Sequence, residues 1–505
     1  MRRPIRLPML LACLVALPAA TAWPQERSAP ILVPKQPVQN SLPNLGSTAN
    51  SLLSRAEEYQ VGRLMVRDLR NENALLDDVE TTDYLQNLGS RIAAEAQEGE
   101  HRFTFFAVQD RSLNAFALPG GFIGLHTGLI TLTNNEAELA GVIAHEAGHV
   151  VQRHIARAVE AQGRIGLGTL AGMLGGILIG AATGNADAIP GVIALGQGTA
   201  MQKQINFTRM EEHEADRVGI GYLAAAGFDP NGMASFFTTM MRARGLSGDD
   251  IPALLLTHPV DTVRLSEARA RIQAMPEMPR RPDSASYPFI RERVRVLTAQ
   301  TGSDMRKYYQ RELAARPDDR ALRYGAALAE LRDNKAAAAL DILKPLLAEM
   351  PQLPLLHSAL AQAQLAAGRQ KEGLATFEHA LQLSPRNVPL TVRYGESLLS
   401  LGHAKQAHRV LLDLFNNVTP TAEQIRLIAL AASGAGDTGD AYSYMAEYHL
   451  ANGDLALATT QLELALASPG ITEVQRKRFR ARRDEIRDVL DENRPRRRSQ
   501  PDDGS

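Results

Sequence analysis

The segment Val142-Ile-Ala-His145-Glu146-Ala-Gly-His149-Val holds the residues best equipped for chemistry in this 505-residue chain. Residues four apart share one face of an α-helix, so His145 and His149 can present two imidazoles to one metal ion. Zinc takes nitrogen ligands at about 2.0–2.1 Å, and its catalytic sites keep three protein ligands and one water. Glu146, beside the first ligand, can reach that water as general base, and zinc lowers the pKa of the water towards about 7. One zinc ion (Zn2+) per chain is therefore the expected cofactor.

The third ligand must come from elsewhere. The metzincin spacing requires Gly and His where this chain has Gln152 and Ile155, which excludes that class. His154 lies nine residues beyond His145 and is expected to be solvated. A better donor lies in Thr208-Arg-Met-Glu211-Glu212-His213-Glu214-Ala-Asp216. Glu212 and Asp216 are four apart on one helix face. Glu212 could bind the metal while Asp216 holds a ligating imidazole by its other ring nitrogen, a contact that fixes tautomer and orientation. By spacing alone, Glu211, His213 and Glu214 remain close rivals of Glu212.

The elements that must position these groups read mainly as helices. Apolar residues at Leu139, Val142, Ile143, Ala147, Val150 and Val151 predict one long helix over about 135–160. Further helical patterns cover about 51–70, 79–98, 204–226, 230–245 and 259–274. His101 to Gln109 and Phe122 to Leu125 are strand candidates, with Pro119-Gly120-Gly121 marking the turn between them. Residues 163–200 are Gly-rich and nearly uncharged. Two expectations stay open for them: a helix pair packed over the metal-binding helix, or a mobile lid or patch that touches membrane or unfolded chains. Their glycines argue against a membrane-spanning helix.

The C-terminal half repeats. Pro317, Pro351 and Pro385 are spaced by 34 residues, as are Gly368 and Gly402. Paired helices with that period are the signature of tetratricopeptide (TPR) repeats. Small residues such as Ala359, Ala380 and Gly395 fall where helices must approach closely. A further repeat is expected from Pro420, with Tyr444 to Asp454 as another first helix and its turn, and 472–491 as a basic capping helix. The fold class is therefore mainly α: an α+β peptidase domain with a small sheet, followed by an α-solenoid of TPR repeats. The expected organisation is a signal peptide (1–22), a flexible leader (23–50), a zinc metalloprotease domain (51–275), a linker (276–300), a helical repeat domain (301–491) and a disordered tail (492–505).

Composition bounds the partners. The low aromatic content, 5%, favours helices, and a net charge of -1 argues against nucleic-acid binding. Arg2, Arg3 and Arg6, the apolar run Leu10 to Ala20 and the small residues Ala20-Thr21-Ala22 read as a secretory signal. Leu10-Leu11-Ala12-Cys13 resembles a lipoprotein processing site, although the apolar run continues past Cys13. Cleavage after Ala22 would remove three arginines, leaving 52 basic against 56 acidic side chains, a charge of -4, and no cysteine for a disulfide.

The His-Glu-x-x-His motif followed by Thr208-Arg-x-x-Glu212-x-Glu214-Ala-Asp216 resembles the gluzincin family that includes the CAAX prenyl proteases and the bacterial heat-shock membrane proteases. The resemblance implies that Glu212 is the third zinc ligand. Asn114-Ala-Phe-Ala-Leu-Pro-Gly-Gly resembles the family's active-site edge strand, which pairs with an extended substrate backbone. Leu256-Thr-His258-Pro-Val-Asp-Thr-Val-Arg264 resembles a segment of the soluble periplasmic members that carry TPR repeats. That likeness implies that His258 sits near zinc, as a resting cap or a support for the oxyanion, and that Arg264 is an electrostatic partner of the transition state.

The likeness covers roughly residues 50–490. It implies metal ligands His145, His149 and Glu212, catalytic roles for Glu146, His258, Arg264 and Asp216, and a periplasmic zinc metalloendopeptidase. It further implies action on misfolded or stalled outer-membrane proteins and engagement, through the repeats, of the outer-membrane β-barrel assembly machinery. Two other classes stay open: a chaperone or adaptor with a latent metal site, and a general peptidase of unfolded proteins.

Overall fold

The computed structural model describes residues 54–96, 102–162, 209–246 and 253–492. The expected signal, Cys13, the leader, the Gly-rich 163–200 segment and the tail beyond 492 lie outside the described residues. All described residues fall within one compact unit, Thr48–Ser505. The fold is mainly α, with one small sheet, and no described helix is long and apolar enough to cross a membrane.

Helix α1, Arg55–Asn71, starts at a capping box: Ser54 accepts from the Glu57 amide while the Glu57 side chain accepts from the Ser54 amide. Helix α2 is Val79–Ala93, capped by Asp78. Strands β1 (Thr104–Val108), β2 (Ala115–Leu118) and β3 (Phe122–His126) follow. The sheet order is β1-β3-β2, with β3 parallel to β1 and antiparallel to β2, so β2 is an edge strand. After the short helix α3, Thr127–Leu132, comes α4, Glu136–Val151, in which every residue except Val150 is buried.

The continuous helix expected over 135–160 is broken. Gln152 caps α4, Arg153 adopts a left-handed backbone with φ of 52°, and α5 runs over His154–Gln162. The conformation is unusual for a residue with a Cβ. Arg153 is held in it by a buried bidentate contact: its Nε and Nη2 donate to Glu58 Oε1 on α1 at 3.1 and 2.9 Å. The peptidase half continues with α6 (Arg209–Ala225), α7 (Asn231–Leu246), α8 (Ala253–Thr257) and α9 (Thr262–Ala274).

Antiparallel helix pairs make up the rest. Their first helices include Arg320–Arg332, Pro354–Ala366, Val388–Ser400 and Ala422–Ala435. Left-handed residues at Asn334, Gly368, Gly402, Gly436 and Gly470 keep the 34-residue spacing to the end of the array. Thr438–Ala451, which carries Tyr444 and Tyr448, is the second helix of its pair, where a first helix was expected. Both helices of a pair end in turns built from similar residues, so the turn at Asn452-Gly453-Asp454 did not tell them apart. Within the segment expected as a linker, Tyr287–Leu297 forms a helix that packs with the first repeat helices.

The two halves share a core. One apolar cluster runs from Phe105 in β1 through Leu139 and Ile143 in α4 to Leu340 and Leu356 in the repeats. A polar junction reinforces it. Asp78 and Glu80, at the start of α2, are each 3% exposed. Arg293 Nε and Nη2 donate to the Asp78 carboxylate at 2.8 and 2.6 Å, and Nη2 also to Glu80 at 2.9 Å. Arg393 binds the same two carboxylates at 2.9 and 2.7 Å, and Ser358 donates to Glu80 at 2.9 Å. The Tyr287–Leu297 helix and two repeat helices are thereby tied to one peptidase helix.

Burial opposes the ionised Asp78 carboxyl, but Arg293 and Arg393 outweigh it and hold its pKa below the ordinary value of 3.8. A depressed carboxyl contributes stability that is fully present above that ordinary value and fades as pH falls below it. Asp78→Ala leaves Arg293 short of a partner in a buried site. It is expected to destabilise the chain by about 3–5 kcal/mol at neutral pH. Urea unfolding midpoints measured at pH 7 and below pH 4 check both statements, because the difference from wild type should narrow in acid.

Candidate metal centre

Three stretches of chain converge on one buried point. Helix α4 supplies His145, Glu146 and His149, α6 supplies Glu212 and Asp216, and the α8–α9 corner supplies His258 and Arg264. The approach of α4 to α6 is set by glycine. A Cβ on Gly148 would meet the Ala215 carbonyl oxygen at 3.0 Å, and one on Gly219 would meet that of Ala144 at 2.9 Å. A larger residue at either place would push the two ligand-bearing helices apart.

His145 Nε2 and His149 Nε2 are 3.1 Å apart, and His258 Nδ1 is 3.4 Å from His145 Nε2. Glu212 Oε1 lies 2.8 Å from His258 Nδ1 and 3.3 Å from His149 Nε2, and Glu212 Oε2 lies 3.6 Å from His145 Nε2. Ligands about 2.0–2.1 Å from a tetrahedral zinc stand roughly 3.4 Å from one another. The separations match that pattern, and these four residues are a group of His and acidic side chains able to share one ion.

Behind them the carboxylates are anchored. Asp216 Oδ1 is 2.9 Å from His145 Nδ1. Arg264 donates from Nε and Nη2 to the two oxygens of Asp216, both at 2.8 Å, and its Nη1 lies 2.6 Å from Glu212 Oε2. Nη1 also donates to the Pro259 carbonyl at 2.7 Å, and the Arg264 amide donates to the helix-capping carboxylate of Asp261 at 2.9 Å. The guanidinium, 5.0 Å above the Phe237 ring and 3% exposed as a residue, is turned to these carboxylates.

Burial pushes His149 well below the ordinary histidine value of 6.5 despite its hydrogen bond to Glu212, so the imidazole is neutral, the form that binds metal. Burial opposes charge on His258 too, but Glu212 and Glu146 outweigh it and raise that pKa. Burial likewise disfavours the charged Glu212, and His258, His149 and His145 overcome it, holding the carboxyl well below its usual range.

Glu146 is 0% exposed, and neither carboxylate oxygen accepts a hydrogen bond. His258 Nε2 lies 3.8 Å from Glu146 Oε1. A buried carboxylate without a donor needs an explanation, and a cation with its water is one. Three acidic side chains facing one arginine fit a divalent metal. A cavity of about 20 Å3, enough for a single water, lies among His145, Glu146, His258, Phe236, Phe237 and Val260. Strand β2 flanks α4 at the sheet edge, where the resemblance placed a substrate-pairing strand.

All seven residues singled out in the sequence come together. Among the rivals of Glu212, His213 pairs with Glu267 at 2.8 Å, and Glu214 lies 3.0 Å from Arg157. His154, expected to be solvated, is instead 0% exposed, and its Nδ1 is 2.8 Å from His149 Nδ1. Spacing could not find it, because residues five apart do not share a helix face and the break at Arg153 was not foreseen.

Residues 80–272 match peptidase family M48. The chain is 32% identical over 464 residues to the beta-barrel assembly-enhancing protease of Escherichia coli (strain K12), covering 90% of this chain and 93% of that protein. It is 28% identical over 185 residues to the mitochondrial metalloendopeptidase OMA1 of Schizosaccharomyces pombe (strain 972 / ATCC 24843), covering 37% of this chain and 51% of that one. It is 30% identical over 168 residues to the metalloprotease LoiP of Escherichia coli (strain K12), covering 32% and 60%.

Arg264→Leu would strand Asp216 and Glu212 as buried charges without their cation. A loss of about 3–5 kcal/mol is expected in the metal-free chain. Arg264→Lys should recover only part of it, because an ammonium cannot bridge the two carboxylates as a fork. Urea denaturation of both variants in the presence of a chelator tests this.

Proposed function

The chain belongs to peptidase family M48, and on that premise we propose that it is a periplasmic zinc endopeptidase that degrades misfolded or stalled outer-membrane proteins and assists their assembly. The observation that carries the reading is the buried convergence of His145, His149, Glu212 and His258 beside the undonated carboxylate of Glu146. The export-like N-terminal sequence supports the compartment, and the name of the Escherichia coli relative supports the substrates.

In this reading His145, His149 and Glu212 hold the zinc, which when bound supplies a Lewis acid for the scissile carbonyl and acidifies water. Glu146 takes the proton of the attacking water and passes it to the leaving amine. The small cavity beside its carboxylate gives that water a place. Edge strand β2 lays out an extended substrate backbone alongside α4. Asp216 keeps His145 oriented through Nδ1, and Arg264 holds Asp216 and Glu212 in place. Residues 51–275 act as the peptidase, and the repeats over 301–491 act as the protein-binding half, which engages clients and the barrel assembly machinery.

His258 Nδ1 stands among the ligand atoms, at the place of a fourth donor. That favours a second element of the reading: His258 caps the metal at rest and must swing away for substrate to enter. A chaperone with a latent site is the limiting case of the same arrangement.

Glu146→Gln is expected to keep the fold and stoichiometric zinc while proteolysis falls by about 10²–10⁴-fold. Metal analysis and cleavage assays on an unfolded outer-membrane protein and on casein check it, and wild-type turnover would remove the mechanism. His258→Ala is expected to keep zinc and raise basal cleavage. Unchanged rates on both substrates would remove the cap.

A further inference from the structure

His149 touches the metal cluster with Nε2 and faces away from it with Nδ1. The group it faces is a second histidine. His154 Nδ1 lies 2.8 Å from His149 Nδ1, with the ring centroids 4.7 Å apart at 79°. The far nitrogen, His154 Nε2, lies 3.1 Å from Glu214 Oε2, and Arg157 Nη2 donates to that same oxygen at 3.0 Å. His149 and His154 are both essentially without solvent exposure.

This contact depends on the broken helix. Five residues along an unbroken α-helix turn about 140° around its axis, so positions 149 and 154 would face different directions. The left-handed Arg153, gripped by Glu58, redirects the chain so that α5 starts with His154 against His149. Backbone strain at one residue and a buried ion pair to a distant helix are both devoted to this placement.

Proton bookkeeping fixes the rest. A His149 that offers Nε2 as a lone pair carries its hydrogen on Nδ1. The atom opposite must then accept, so His154 Nδ1 is bare and its hydrogen sits on Nε2, pointing at the Glu214 carboxylate. Every donor meets an acceptor in that single arrangement. It parallels the support of the other ligand, where Asp216 and Arg264 stand behind His145 Nδ1.

We propose that His154 is a positioning residue of the metal centre, accepting at Nδ1 from His149 Nδ1–H and donating from Nε2–H to Glu214, so that His149 presents Nε2 to the metal. The two histidine ligands are then braced differently: His145 by carboxylate and guanidinium, His149 by imidazole, carboxylate and guanidinium. The inference rests on the proposed ligand set.

The test is zinc affinity. The full chain, stripped of metal, is titrated with Zn2+ against a chromophoric chelator. His154→Leu, which fills the space but accepts nothing, is expected to bind Zn2+ about 10–100-fold more weakly. His154→Asn, whose side-chain oxygen can stand near the lost Nδ1, is expected to return close to wild-type affinity. Wild-type affinity in the Leu variant, or equal losses in both variants, overturns the proposal. If the Leu variant does not fold, the imidazole nitrogen chemical shifts of the zinc-loaded wild type decide: a hydrogen on His154 Nδ1 overturns it, and one on Nε2 alone upholds it. A wild-type chain that binds no Zn2+ would remove the ligand set itself. Tight wild-type binding with no effect at residue 154 removes only this role.

Discussion

Glu212 and Asp216 lie at 1% and 5% exposure, one helical turn apart, in the buried interior. Two carboxylates cannot stay ionised there unless each is paired and hydrogen-bonded. Arg264 forms an ion pair with both and hydrogen-bonds Asp216, while His258 supplies the hydrogen bond to Glu212 and His145 adds a second partner for Asp216. The rest of the site follows from that neutralisation. Arg264 reaches the carboxylates because Asp261 caps its helix and the Pro259 carbonyl receives its remaining nitrogen. His258 stands on the chain just before that corner, so the ligand set and the ion pair are built by the same turn of backbone.

The metal centre also depends on how closely two helices can run. Gly148 and Gly219 let α4 and α6 approach to backbone contact, which brings the imidazoles of one within ligand-sharing distance of the carboxylate of the other. Helix α2 extends the same construction outward. It packs between the sheet and α4 on one side, and its N-terminal end offers Asp78 and Glu80 to Arg293 of the Tyr287–Leu297 helix and Arg393 of a repeat helix on the other. The apolar core continues across that junction, so the repeats and the metal-bearing helix belong to one packed body.

The sequence by itself determined the chemistry and most of the elements. His145, Glu146 and His149 were legible because helical periodicity puts residues four apart on one face, and that local rule needs no knowledge of the fold. The mainly α class and the 34-residue period were legible for the same reason: they are properties of local spacing. Glu212 could be narrowed only to a cluster of four neighbours by spacing, and resemblance selected it. Tertiary structure alone decided what lies between distant segments. It put Arg264 on Asp216 and Glu212, set His258 Nδ1 beside Glu212, and joined Asp78 to Arg293 across 215 residues of chain. It also broke the helix at Arg153 and turned a histidine expected in solvent into the buried neighbour of His149. The physical reason is that helical spacing is fixed by hydrogen bonds between residues near in sequence, whereas the partner of a buried charge is chosen by which groups packing brings within about 3 Å in a low-dielectric interior.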